Sequence, residues 1–193
     1  NTLATVTPGD LKFADVNNDG KITPADRTMI GDPTPNVTYG FSLGVDYKNW
    51  SLGIDMMGQG GNQIFRTWDN YNFAQFNYLA QRMDRWHGEG TSNSQPLLNS
   101  KHSINTLNSE YYIEDGKFFR IRNVQLAYSF DKSLLAKIRL QALKVYVNIQ
   151  NLKTWKHNTG YTPELGGTAT AFGVDNGSYP VPAVYTFGIN LTF

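Results

Sequence analysis

The sequence contains no cysteine, which excludes a disulfide-stabilised scaffold, a thiol nucleophile and a cysteine-ligated zinc site. Charged residues make up only 17% of its 193 residues, whereas about 25% is usual. The 17 Lys and Arg nearly balance the 16 Asp and Glu, so no basic field for nucleic acid is expected. No apolar run approaches the roughly 18 residues of a membrane-spanning helix. The first residues show no secretory signal, because they lack a basic start and an apolar stretch.

Aromatic residues are abundant instead, at 13% of the sequence, and the chain has 18 Gly. Five segments alternate apolar and polar residues with the period of two that half-buried strands require. In one of them, Val145, Val147 and Ile149 share a face. Another segment is irregular at its start, because Arg120 has the parity of apolar residues further along it. The five predicted strands span about residues 37–48, 50–58, 118–130, 143–151 and 184–193.

The polar faces of these segments favour an all-β transmembrane barrel over a soluble β-sandwich. They carry Gly, Ser, Thr, Asn and Gln rather than Lys, Glu and Arg, and such small neutral residues suit the wall of a water-filled lumen. The segment lengths also fit the roughly 9–11 residues of a tilted membrane-spanning strand. The alternative is a secreted, calcium-dependent β-sandwich that acts as a binding or adhesion module and carries a dockerin-like loop.

The connections between the predicted strands are alternately short and long, as in outer-membrane barrels. A tight turn at Lys48-Asn49 is followed by the long connection 59–117. A short connection, with one helical turn expected at 132–138, is followed by the long connection 152–183. If the short turns are periplasmic, Phe193 is periplasmic, and residues 1–35 and both long connections are extracellular. The smallest barrels have about eight strands, so five strands predict one part of a larger wall.

Residues 15–26 resemble a calcium-binding loop of the dockerin kind. Oxygen-bearing side chains stand at positions 1, 3, 5 and 12, with Gly20 at position 6 to permit the bend. We therefore predict a structural Ca²⁺ site, in which Lys21 contributes its carbonyl and Thr23 a hydroxyl or a bound water. The alternative is a turn that its own side-chain-to-backbone hydrogen bonds hold together. The candidate ligands are Asp15, Asn17, Asp19, Lys21, Thr23 and Asp26.

No arrangement of residues predicts catalysis, because the three His are scattered and no nucleophile or phosphate-binding motif occurs. The aromatic, Asn-rich stretch from Trp68 to Tyr78 suits sugar rings, whose C–H faces stack on aromatic rings and whose hydroxyls need hydrogen-bond partners. Trp68, Tyr71 and Phe73 are therefore candidate substrate-binding residues. The alternative is that these aromatic side chains only pack the loop.

Motifs along nearly the whole chain occur in an order and at spacings that resemble one family. They are Gly9–Arg27, Ile30–Pro35, Thr38–Phe41, Gln59–Asn62, Arg85–Trp86, Glu114–Val124, Val145–Leu152, Gly160–Glu164, Asp175–Pro180 and Phe187–Phe193. Together they resemble the C-terminal portion of the SusC/RagA-like TonB-dependent outer-membrane transporters of Bacteroidetes. The resemblance implies the last five or so antiparallel strands of a barrel of about 22 strands, with long extracellular loops.

The same resemblance implies active import rather than enzymatic activity. A SusD-like surface lipoprotein would capture an oligosaccharide, or in some members a peptide, at the outer mouth of the barrel. TonB, energised through ExbB and ExbD, would then pull on an N-terminal plug to open a path. The expected partners are the remaining barrel and plug, the lipoprotein, TonB-ExbB-ExbD, the substrate and outer-membrane lipid. The matching motifs are structural, so the resemblance assigns no substrate-binding residue.

Overall fold

The computed structural model of the chain describes residues 6–69, 78–98 and 104–193. Its strands are β1 (Val37–Tyr47), β2 (Trp50–Gly60), β3 (Gln63–Arg66), β4 (Ile113–Asp115), β5 (Phe118–Ser129), β6 (Ala142–Lys156), β7 (Val174–Asp175) and β8 (Val184–Thr192). One α-helical turn, α1, spans Lys132–Leu135. The 3₁₀ turns are Pro24–Asp26, Ala80–Asp84, Ile104–Thr106, Glu110–Tyr112 and Ala136–Ile138. Within the described ranges, no helix is long and apolar enough to cross a membrane.

The chain divides into two compact units. One comprises the described residues of Asn1–Gly31, Phe65–Ile113 and Val174–Asn176. The other comprises Asp32–Ile64, Glu114–Gly173 and Gly177–Phe193. The second unit contains the five long strands, and the first contains most of the connection between β2 and β5.

The five long strands form one antiparallel sheet in the order β1-β2-β5-β6-β8. The register places apolar side chains beside apolar ones, and polar side chains beside polar ones, across all five strands. This follows because paired residues in a sheet point to the same face. One row across the sheet is apolar: Val45, Leu52, Leu126, Val147 and Phe187. The adjacent row, on the opposite face, is small and polar: Gly44, Gly53, Gln125, Asn148 and Thr186.

This sheet is a single layer, which makes the sandwich alternative wrong. Every residue of β1 is exposed, and Phe187 on β8 is 78% exposed. A sandwich would instead bury alternate residues of each strand between two sheets. The exposed apolar face crosses five strands, and a soluble monomer rarely exposes so large a patch. The face therefore requires an apolar environment outside the chain.

A β-bulge at Arg122 explains the irregular start of the third long strand. Asp55 pairs with Asn123 and Met56 pairs with Ile121, so Arg122 is the extra residue on β5. An extra residue reverses the faces of every residue beyond it, because side chains alternate with a period of two. Ile121 therefore joins the apolar face of the sheet, and Arg120 joins the polar face.

The observed strands differ from the predicted ones mainly at the end of the sheet beyond this bulge. β6 runs to Lys156, where the sequence pattern predicts an end at 151, because Thr154 and Trp155 continue to pair with β5. The helical turn expected at 132–138 is present as α1 and the following 3₁₀ turn. A small sheet in the order β4-β3-β7 has no counterpart in the sequence prediction, because strands of two to four residues show no periodicity.

The two faces of β5 predict opposite responses to the same substitution in the intact protein. Val124 lies mid-strand on the apolar face, and the adjacent Gln125 lies on the polar face. Val124→Arg should destabilise the membrane-inserted fold by about 2–4 kcal/mol, the cost of Arg on a lipid face near the bilayer midplane. Gln125→Arg should cost less than about 1 kcal/mol, since a lumenal side chain stays hydrated. Denaturant unfolding in lipid vesicles measures both values, and equal costs would contradict the assignment of faces.

Candidate substrate-facing wall and loops

The polar face of the sheet presents mostly small or neutral hydrogen-bonding groups and a carboxylate at its centre. Asp55 lies at its centre and is held from both sides: Ser42 Oγ donates to its Oδ1 over 2.7 Å, and Asn123 Nδ2 lies 3.4 Å from its Oδ2. Gly44 and Gly53 face each other beside this group, with no atom within 4 Å of the position that a Cβ would occupy. Such a surface can line a water-filled path for a polar solute.

Aromatic rings cluster at both ends of the apolar face. At one end Trp50 and Tyr128 lie 4.8 Å apart between ring centroids. At the other end Phe119 stacks on Trp155 at 5.7 Å and lies 6.5 Å from Tyr39. Amphipathic aromatic side chains prefer the two membrane–water interfaces, so these pairs are typical of the girdles of an outer-membrane barrel.

The segment after β6 is held on the polar side of the sheet by an ion pair between a buried guanidinium and a partly exposed carboxylate. Arg120 is only 4% exposed; its Nη1 donates to Glu164 Oε2, and its Nε donates to Thr154 Oγ1 over 2.7 Å. Lys156 Nζ donates to the carbonyl oxygens of Asn158 and Gly160, both at 2.6 Å. The bulge places the Arg120 guanidinium in a buried position on the polar side. Because its charge is buried there, it requires the Glu164 carboxylate as a partner.

A second anchor holds the same segment through Glu114. Its two carboxylate oxygens accept hydrogen bonds from the backbone N–H and the hydroxyl of Thr159, at 2.8 and 2.6 Å. Asn158 donates from Nδ2 to the carbonyl of Thr162 over 3.0 Å, which closes a tight turn between the two anchors. The first part of the predicted loop 152–183 is therefore a constrained structure, attached to β4 and β5.

Trp68, one of the three candidate substrate-binding residues, is half-buried beside the guanidinium of Arg66. The Arg66 Cζ lies 5.7 Å from the ring centroid of Trp68, and at similar distances from the rings of Tyr111 and Tyr112. Asp69 Oδ1 lies 2.9 Å from Arg66 Nε. The ring of Tyr112 is buried in the same cluster, and this burial raises the pKa of its hydroxyl. Packing thus accounts for Trp68, and its role in substrate binding stays a prediction.

The other two candidates, Tyr71 and Phe73, lie outside the described residues.

The calcium-like loop 15–26 is closed by hydrogen bonds from its own backbone. The Asp15 carboxylate accepts from the amides of Asp19 and Gly20, at 3.2 and 2.7 Å. The Asp26 carboxylate accepts from the amides of Val16 and Thr23, at 2.9 and 2.7 Å. The last predicted ligand therefore lies next to the first residues of the loop, as a metal-binding loop requires.

The remaining predicted ligands of this loop also contact its backbone. Asn17 Oδ1 accepts from the amide of Asp19, Asp19 Oδ1 from the amide of Lys21, and Thr23 Oγ1 from the amide of Ala25, at 2.9–3.2 Å. The carbonyl of Thr23 accepts from the amide of Asp26. In the part of the chain that the structure describes, no three acidic or imidazole side chains are grouped so that they could hold a metal. The observed hydrogen bonds are therefore those expected for the alternative to a metal site, a turn held together by its own side-chain-to-backbone hydrogen bonds.

The donors of the loop nevertheless have the chemistry of a calcium site. Carboxylate, amide, hydroxyl and carbonyl oxygens are the ligands that Ca²⁺ prefers, and the loop contains no softer donor. The amide of Thr23 lowers the pKa of Asp26 below its ordinary value of 3.8, against an opposing effect of burial, so this carboxylate is ionised at neutral pH. Each carboxylate oxygen that accepts one hydrogen bond keeps further lone-pair capacity for a cation.

The chain is similar to known proteins in sequence and in fold. The chain is 32% identical over 200 residues to TonB-dependent receptor P3 of Formosa agariphila, and 23% identical over 190 residues to TonB-dependent receptor SusC of Bacteroides thetaiotaomicron. Each alignment covers 96% of this chain. The solved structure of the RagAB peptide transporter superposes on 89% of the chain with a TM-score of 0.74 at 26% identity. The chain is a segment of the barrel of a SusC/RagA-like TonB-dependent transporter.

This SusC/RagA-like segment spans about a fifth of the length of its relatives: 19% of receptor P3, 18% of SusC and 19% of the matched RagAB chain. No protein-family model matches the chain. Its five long strands are accordingly one part of a barrel whose other strands lie in the rest of the transporter.

The sequence analysis did not identify Arg120 and Glu164 as site residues. They are 44 residues apart, and no local sequence pattern pairs them. The broken parity at the start of β5 was the available signal, because a bulge there moves Arg120 to the polar face. A buried guanidinium then requires an anionic partner.

Removal of the charge on Glu164 tests the ion pair. Glu164→Gln should leave the buried Arg120 uncompensated and destabilise the segment after β6, by less than the about 3–5 kcal/mol of a fully buried pair because the Glu164 side chain is 35% exposed. Adding Arg120→Met should recover part of this loss, because no unpaired charge then remains. Protease cleavage rates within 157–173 of the intact transporter measure the effect. Glu89→Gln, outside this unit, is the control, and an unchanged cleavage rate in Glu164→Gln would contradict the anchor.

Proposed function

We propose that the intact protein imports an oligosaccharide or a peptide across the outer membrane as a TonB-dependent transporter. The observation that carries the proposal is the single-layer sheet, whose apolar face needs lipid and whose largely neutral polar face suits an aqueous path. The similarity to SusC and to the RagAB peptide transporter supports import of nutrients too large to diffuse through a small pore. The barrel wall encloses the substrate and contacts it. The energy for import is supplied from outside this segment.

The partners belong to the same proposal. The remaining barrel strands complete the wall at β1 and β8, and a plug domain of the same transporter closes the lumen. A SusD-like surface lipoprotein captures the substrate at the outer mouth, and TonB-ExbB-ExbD supplies the proton-motive force. The pairing of RagA with a second protein in the RagAB transporter supports the lipoprotein partner.

The proposed orientation places the short turns in the periplasm. The β1–β2 turn consists of Lys48 and Asn49, and the β5–β6 connection is short, whereas residues 61–117 and 157–183 join the opposite ends of the strands. Outer-membrane barrels have short periplasmic and long external connections. The calcium-like loop, Trp68 and the segment anchored by Glu164 then lie on the extracellular side.

Uptake by cells that produce the intact transporter tests the import function. Cells given defined hexasaccharides and hexapeptides should deplete at least one of these substrates. Deletion of the transporter gene should abolish that uptake, and a protonophore should abolish it equally, because TonB-dependent import needs the proton-motive force. Depletion that continues in the deletion strain, or in the presence of the protonophore, would contradict the proposal.

We also propose that the loop 15–26 binds a structural Ca²⁺. Closure of the loop through Asp26 and its all-oxygen donor set support the site. Asp15, Asn17, Asp19 and Asp26 would contribute side-chain oxygens, Lys21 a carbonyl, and Thr23 a hydroxyl or a bound water. The ion would rigidify the loop rather than contact a reacting substrate.

Calorimetry of the purified transporter with Ca²⁺ tests this site. The wild-type protein should show a binding isotherm that is lost in the Asp15→Ala/Asp19→Ala double variant, because two of the anionic ligands are removed. Asp46→Ala/Asp131→Ala, which removes the same charge at exposed positions outside the loop, should retain the binding. Heats that are unchanged in the loop variant would mean that the loop is held by its own hydrogen bonds alone.

A further inference from the structure

Lys153 is the single charged residue among the paired residues of the apolar face, in the five long strands that the structure describes in full. It pairs with Ile121, which pairs in turn with Met56, and Met56 pairs with Phe41. Paired residues point to the same face, so Lys153 ends an otherwise apolar row. Its side chain is exposed. A lysine on the lipid face of a barrel is costly at the bilayer midplane and costs little near the interfaces.

The position of Lys153 along β6 brings its ammonium group within reach of the membrane–water interface. Trp155, two residues further along β6, pairs with Phe119 in the aromatic row at the end of the sheet remote from the Lys48-Asn49 turn. Two residues of a strand span roughly 6.6 Å, which an extended lysine side chain can cover. Lysines near a membrane surface extend their side chains toward the headgroups. The ammonium group of Lys153 therefore reaches the level of the aromatic row, where lipid headgroups begin.

A second cation, Arg122, lies beside this position in the sheet. Arg122 follows Ile121, the residue with which Lys153 pairs, and it is the extra residue of the β-bulge in β5. Opposite it, β6 carries the two residues Asn151 and Leu152, and Asn151 adopts the left-handed conformation with a φ of +53°. Bulges redirect side chains and are over-represented next to functional sites. The irregularity in both strands thus places two cations at neighbouring positions.

Neither cation is neutralised by an acidic residue of the described ranges. Both side chains are exposed, and the ion pairs among the described residues involve other cations. Asp55, on the strand that pairs with this part of β5, accepts hydrogen bonds from Ser42 and Asn123 instead. Like charges at neighbouring positions of a sheet are destabilising. An anion bound between the two cations removes this repulsion.

The location of the two cations identifies the kind of anion. Lys153 lies on the face that contacts lipid, so the anion belongs to a membrane lipid rather than to a dissolved substrate, which the wall confines to its polar side. In the orientation proposed above, on which this step rests, this end of the sheet meets the outer leaflet. The outer leaflet of a bacterial outer membrane consists of glycolipids whose headgroups carry phosphate. A phosphate monoester offers three acceptor oxygens, which suit an ammonium and a guanidinium group side by side.

We propose that Lys153 and Arg122 bind the phosphate group of a glycolipid in the outer leaflet. Each cation donates charge-assisted hydrogen bonds to the phosphate oxygens. The exposed apolar surface beside them contacts the acyl chains of the same lipid: Leu152 is 39% exposed and Trp155 is 49% exposed. The site holds one lipid molecule against the outer surface of β5 and β6.

Native mass spectrometry of the intact, purified transporter tests the site with one glycolipid in two forms, monophosphoryl lipid A and the same lipid without its phosphate. The wild-type protein should bind the phosphorylated form at least about tenfold more tightly, the factor expected for one charge-assisted hydrogen bond. The Lys153→Gln/Arg122→Gln variant should lose this preference. The matched control, Lys137→Gln/Arg139→Gln, removes two exposed cations from the β5–β6 connection at the opposite end of the strands and should retain it.

Further arms separate this lipid from other sources of the anion. Inorganic phosphate at the same concentration should leave the bound lipid in place, and displacement would mean that the site takes a dissolved anion. Tighter binding of phosphatidylglycerol than of lipid A would contradict the outer-leaflet assignment. If the glutamine variant does not insert, Lys153→Met, which suits a lipid face, should insert and lose the preference; a preference that survives there means that the site is wrong. A failed import assay leaves this site in place, and a failed lipid titration leaves import in place.

Discussion

The five-stranded unit of this chain depends on an apolar sheet face that the described residues do not cover. The sheet is one layer thick, and the apolar row from Val45 to Phe187 crosses all five strands. Among the described residues, β1 pairs only with β2, and β8 pairs only with β6, so both outer edges carry unpaired backbone groups. Each such group costs several kcal/mol in lipid. The fold is therefore stable only as part of a closed wall in a membrane.

The same wall determines where the loops lie. The extra residue at Arg122 reverses the faces of β5 beyond it and places Arg120 on the polar side. There its buried charge requires Glu164, and the pair fixes the segment after β6 against the wall. A single irregularity in one strand thus determines where the segment after β6 is attached to the wall.

The long strands were predictable from sequence because each repeats its pattern over nine or more residues, and a lumen of small neutral residues distinguished a barrel from a sandwich. The strands β3, β4 and β7 were not predictable, since two to four residues carry no period. The phase of β5 beyond Arg122 was visible only as an irregularity, because bulges depend on pairing with both neighbours. The Arg120–Glu164 pair arises from a contact between distant segments, which one sequence does not encode in any local motif.

The most direct test of the membrane-facing sheet is a spin-label scan of β5 from Phe118 to Ser129 in the intact transporter. This segment has no native cysteine, so single cysteines can be introduced for labelling, with any elsewhere in the transporter replaced. Accessibility to oxygen should peak at Phe119, Ile121, Val124, Leu126 and Tyr128, and accessibility to a water-soluble nickel complex should peak at the polar-face residues Asn123, Gln125 and Ser129, which are not buried. The oxygen signal should invert its phase at Arg122. An unbroken alternation across Arg122, or access of the nickel complex to the apolar positions, would contradict a bulged strand with one face in lipid.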